Sequence, residues 1–164
     1  MTRALYTGPW RVDVTVRDGV ASPVPAARLA RAIAAALDAA GAPSPASIGL
    51  ILSDDAELAA LNEAHLGHHG PTDVLSFPLS PSPGFALPPG RRPSLGDIVV
   101  SVERAAEQAA GGRGGQTGDV SWSAADELRL LVTHGALHIC GLDHAEPAEE
   151  AAMRALERRL LATS

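Results

Sequence analysis

The feature that most constrains this chain is the run Thr133-His134-Gly135-Ala136-Leu137-His138-Ile139-Cys140-Gly141-Leu142-Asp143-His144. His134 and His138 are four residues apart, so on a helix they project from one face with Cβ atoms roughly 5–6 Å apart. That separation lets two imidazoles point at one metal ion. Gly141 is the natural helix stop, because it accepts the left-handed backbone that reverses the chain. The turn then brings His144 back as a third nitrogen. Three protein ligands leave one position of a tetrahedral zinc open, which separates a catalytic ion from a structural one. Zinc is the ordinary choice for three imidazoles, and nickel or another first-row ion fits similar ligands.

The rest of the chain is sufficient to hold such a helix. With 164 residues, 46% hydrophobic and 20% charged, it has the material for one domain, 1–164, with a real core, and is not a disordered chain. The longest apolar run, Ala32 to Leu37, is far short of the ~20 residues that cross a bilayer. No basic, apolar and small-residue leader opens the sequence, and a single cysteine cannot form an internal disulfide. The expectation is a cytoplasmic protein with no membrane partner.

Hydrophobic periodicity supplies the elements. Val12, Val14 and Val16 alternate with polar residues as a strand, and Ile48–Leu52, Val74–Phe77 and Ile98–Val100 read as three more. Helices are predicted after Pro25 (Leu29, Ile33, Leu37), after Asp54 (Leu58, Leu61), over 102–110, from Ser123 to about Cys140, and from Pro147 (Met153, Leu156, Leu160). The fold class is therefore α/β (α+β), a small mixed four-stranded sheet covered by about five helices.

Two stretches break the pattern. Residues 80–94, with Pro81, Pro83, Pro88 and Pro89, and residues 111–118, with five glycines around Arg113, read as mobile loops. Arg91, Arg92 and Arg113 are the cations these loops could hang over a site. All thirteen basic residues are Arg, against nineteen acidic ones, giving a net charge of −6. A nucleic-acid role would thus need a local Arg patch rather than a global field. Aromatics at 3% exclude a base-stacking platform of several rings.

The spacing His-x-x-x-His-x-x-Gly-x-x-His is also that of metzincin peptidases, which need a Glu directly after the first His as general base. Here that position is Gly135. A zinc peptidase or amidohydrolase is disfavoured.

The run His-Gly-x-Leu-His-x-x-Gly-x-Asp-His resembles the signature of the bacterial YbeY metallo-endoribonucleases. Leu61-Asn62 with Pro71-Thr72-Asp73-Val74-Leu75-Ser76-Phe77-Pro78, and Leu95-Gly96-Asp97-Ile98, agree with that family in the same order. The resemblance implies a fold related to the zincins, with one Zn²⁺ held by His134, His138 and His144. It implies hydrolysis of single-stranded RNA in 16S rRNA 3′-end maturation and ribosome quality control. The partners implied are the small ribosomal subunit and a ribosomal protein or ribosome-assembly GTPase. The alternative class is an assembly factor that binds RNA and the ribosome with a structural zinc. Many members carry an Arg shortly before Pro-Thr-Asp; counted from Leu61-Asn62, that place is Leu66 here. Either another Arg substitutes, with Arg91 and Arg92 as candidates, or activity relies more heavily on the metal; His65, His68 and His69 in the same stretch are candidate phosphate contacts.

Other residues take lesser roles. Asp143, beside the third ligand, reads as a turn residue or as a carboxylate accepting a ligand's other N–H. Asp73 and Asp97, at strand ends, read as loop-orienting. Cys140, about 200° round the helix from His138, reads as packing.

Overall fold

The computed structural model describes residues 2–67, 72–79, 92–111, 122–142 and 146–163. Strands β1 (Thr2–Thr7), β2 (Trp10–Val16), β3 (Ala46–Ser53), β4 (Val74–Pro78) and β5 (Ser94–Ser101) form one sheet in the order β1-β2-β3-β5-β4. Strands β2, β3 and β5 run parallel, while β1 and β4 close the two edges antiparallel. Helices are α1 (Ala26–Ala39), α2 (Asp55–Leu66), α3 (Val102–Ala110), α4 (Ala124–Ile139) and α5 (Pro147–Thr163).

The α/β class and the helix positions agree with the sequence reading, but the sheet has five strands rather than four. The additional strand, β1, is joined to β2 through Gly8, whose φ of 56° suits a tight turn. Most of its residues are exposed, with only Leu5 packed against the core, so an edge strand of this kind carries little hydrophobic alternation. Strand β5 also starts earlier than expected. Ser94, assigned to a loop, pairs with Ser47, and Asp97 lies within the strand rather than at its end. Residues 80–91 of that loop, and residues 112–118 of the Gly-rich loop, lie outside the described residues.

Alternation decides the layers. Trp10, Val12 and Val14 point to one face with Ile48, Leu50, Leu52, Ile98 and Val100, where α1 and α4 cover them with Leu29, Ile33, Leu37, Leu128, Leu131 and Leu137. Each such side chain contributes roughly 1.5–3 kcal/mol when fully buried, so this layer dominates stability. On the other face, α2 places Leu58 and Leu61 against Ile51, Leu75, Phe77 and Val99. Local signals fix the helix starts. Ser123 and Asp126 form a reciprocal capping box at α4, and the Asp54 side chain accepts from Glu57 N at α2. Trp10 Nε1 donates to Asp38 Oδ1 at 2.9 Å, tying β2 to α1.

A candidate active site between the last long helices and an edge strand

Helix α4 lies against β4 and β5, and Gly135 sits in that contact. A Cβ there would stand 2.7 Å from Ile98 Cγ2, 3.3 Å from Val74 Cγ2 and 3.4 Å from Ser76 Oγ. The Ser76 hydroxyl donates to the Gly135 carbonyl at 3.0 Å. With Gly135 turned to the sheet, the neighbouring His134 and His138 face a cleft of about 450 Å³ along the edge strand, lined also by Asp73, Val74, Leu75, Ser76 and Pro78. That volume falls in the roughly 300–1,000 Å³ range of ligand clefts.

The two imidazoles converge. Their Nε2 atoms are 2.9 Å apart, with ring centroids separated by 4.5 Å and planes inclined by 73°. Nitrogens about 2.0–2.1 Å from a shared tetrahedral centre are about 3.3 Å from each other, so this pair fits a first-row cation after a shift of a few tenths of an ångström. Beyond His138, the helix stops as the sequence predicts. Gly141 adopts φ of 90°, its N–H bonds to His138 O, and Leu142 N donates to Leu137 O. His144 and Asp143 lie outside the described residues.

One carboxylate at the site was not anticipated. Glu157, on α5 and only 2% exposed, accepts from His134 Nδ1 at 2.6 Å. The signal was present in the sequence. Glu157 follows Met153 by four residues and falls within the stripe of Leu156 and Leu160, so a charge occupies the buried face of an otherwise amphipathic helix.

The other candidates are dispersed. Arg92 places its guanidinium 5.2 Å from the Tyr6 ring on β1, across the sheet from the cleft, at about 19 Å for four strand spacings. Arg91, Arg113, His68, His69 and the side chain of Leu66 lie outside the described residues. His65 meets Phe77 edge-on at 5.3 Å, on the α2 side of β4. Asp73 lines the cleft and accepts from Val74 N and Gln108 Nε2, holding the entry to β4 against α3. The Asp97 carboxylate lies over Gly49, where a Cβ would be 2.1 Å from Oδ1. Cys140 packs against the core, and burial pushes its thiol pKa up, away from the thiolate a ligand or nucleophile requires.

Residues 20–164 match the family described as Endoribonuclease YbeY. The chain belongs to the YbeY endoribonuclease family. Among YbeY relatives, the protein of Salinispora tropica is 44% identical over 134 residues, covering 78% of this chain and 80% of its own. That of Roseiflexus castenholzii is 38% identical over 151 residues, covering 92% and 90%. The solution structure of TM1509 from Thermotoga maritima shares the fold, with a TM-score of 0.52 and 22% identity over 90% of this chain and 86% of that one. The YbeY match spans the cleft, both histidines and Glu157, and leaves out β1 and β2. Gly135 stands where a metzincin peptidase carries its general-base Glu, and the position faces packed core, with no space for a Glu side chain. Among the described residues, no helix is long and apolar enough to cross a membrane.

Proposed function

We propose that the protein is a single-strand-specific, zinc-dependent endoribonuclease acting in 16S rRNA 3′-end maturation and ribosome quality control, with His134, His138 and His144 as its metal ligands. The observation that carries this reading is the convergence of two Nε2 atoms, 2.9 Å apart, on an open cleft of a YbeY family member. When bound, a zinc ion supplies a water whose pKa falls toward ~7 and a Lewis acid for a phosphoryl oxygen.

The chain's own residues set the conditions for that chemistry. Strand β4 lies along the cleft as a wall on which one extended RNA strand can rest. Ser76, bonded to the Gly135 carbonyl, keeps β4 and α4 at a fixed separation, and so fixes the distance from the wall to the imidazoles. Asp73 anchors the entrance of the cleft to α3 through Gln108. Small-subunit rRNA as substrate, a cytoplasmic setting, and assistance from a ribosomal protein or assembly GTPase complete the proposal.

The test is cleavage of a single-stranded ribosomal RNA fragment by purified protein, with His138→Ala in parallel. Cleavage by the wild type alone, suppressed by a chelator and restored by Zn²⁺, supports the reading. Equal cleavage by both proteins, or none by a zinc-loaded wild type, refutes it in favour of an RNA-binding assembly factor.

A further inference from the structure

The buried Glu157 has no part in the chemistry above, yet it lies at hydrogen-bond distance from one of the two converging imidazoles. A histidine side chain has a broad, two-fold χ2 torsion, and neutral imidazole exists in two tautomers. An unrestrained His134 could therefore present either ring nitrogen to the cleft, protonated or bare. A carboxylate only accepts hydrogen bonds. Glu157 Oε1, 2.6 Å from Nδ1, selects the ring orientation with Nδ1 inward and the tautomer with the proton on Nδ1. Nε2 is left with its lone pair toward His138 Nε2.

We propose that Glu157 is the positioning residue of the histidine pair, holding His134 in the orientation and tautomer that prepare Nε2 to bind a metal ion. The purpose assigned to the aimed nitrogen rests on the metal-site reading above; the aiming itself does not. A purely architectural role is the competing explanation, in which Glu157 merely docks α5 on α4. Helix α5 has other anchors for that task. Met153 is buried in the core with Leu156 and Leu160 packed against it, and Arg129 of α4 donates to the Leu161 carbonyl at 2.9 Å. Removing the carboxylate should thus leave the helix docked while freeing the ring.

Two variants test this in the full-length protein. Glu157→Gln keeps the shape but presents an amide that can accept or donate; Glu157→Leu fills similar volume with no acceptor. Long-range ¹H–¹⁵N correlation on metal-free protein reads the His134 tautomer, and competition with a chromophoric chelator reads the zinc affinity. The expected result is a wild-type His134 protonated at Nδ1, a mixed or reversed tautomer in both variants, and zinc affinity lower by about 10–100-fold, with melting temperatures of the metal-free proteins close to wild type. Retention of the wild-type tautomer and zinc affinity by both variants overturns the proposal. If Glu157→Leu does not fold, Glu157→Gln alone decides. A wild type that holds the Nδ1–H tautomer, loses it in Glu157→Gln and binds no zinc supports the positioning while refuting the metal-site reading.

Discussion

Gly135 and Ile98 are in such close apposition that a methyl group on the first would stand 2.7 Å from Cγ2 of the second. Ile98 is fully buried in the sheet, so its side chain has nowhere to retreat. Two effects compete in Gly135→Ala. Helix propensity favours Ala by about 0.8–1 kcal/mol, whereas overpacking a tight core site costs about 1–3 kcal/mol. The steric term wins, and we expect a net loss of about 1 kcal/mol in urea unfolding. Because α4 must lift from the sheet, RNA cleavage should fall as well. A variant at least as stable as wild type would show that the helix is not seated as tightly as described.

Gly96 is a second position where only glycine fits. Its φ is 136°, and a Cβ would lie 2.3 Å from the Phe77 carbonyl and 2.9 Å from Pro78 Cα. Both obstacles are backbone, so a flexible side chain cannot relieve the clash. Gly96→Ala should cost about 2 kcal/mol or more, through strain at positive φ and disruption of β4–β5 pairing. Urea denaturation reads the loss; a change below about 0.5 kcal/mol would contradict the close approach of Gly96 to the backbone of Phe77 and Pro78.

The sequence was most informative where one local signal sufficed. The His134–His138 spacing, the Gly141 stop and the Ser123–Asp126 cap are each set within one helix, and each appears in the structure as read. Signals split across the chain were less legible. Glu157 shows in the sequence only as a charge within the apolar stripe of its helix, and its partner lies 23 residues earlier. β1 was missed because its neighbours, rather than its own pattern, make it a strand. Arg92 suggested a site cation by its loop position, and only the sheet order shows it at the far edge, over Tyr6.

Glu57 links stability to pH away from the cleft. The Arg17 guanidinium, and next the Ser53 hydroxyl, hold its carboxyl pKa below the ordinary value of 4.5. A depressed folded-state pKa stabilises the protein above the unfolded value, and that contribution disappears as pH falls through the folded value. Wild type should therefore exceed Glu57→Gln in urea midpoint at pH 7. The gap should narrow below about pH 4.5 and close in stronger acid. A gap independent of pH would mean that the charge on Glu57 contributes nothing.

Metal removal separates the two roles an ion could play. The core that holds α4 is built from Leu29, Ile33, Leu50, Leu131 and their neighbours, and it is closed without either histidine. Metal-free protein should therefore unfold cooperatively, unlike a chain whose zinc is structural. An ion that binds only the folded state adds about 2.7 kcal/mol at a hundred times its Kd. For a chain of 164 residues that is a rise of about 5–10 °C in melting temperature. Differential scanning fluorimetry with added zinc should show this rise for the wild type and little or none for His138→Ala. A metal-free wild type with no cooperative transition would move the ion from the chemistry to the fold.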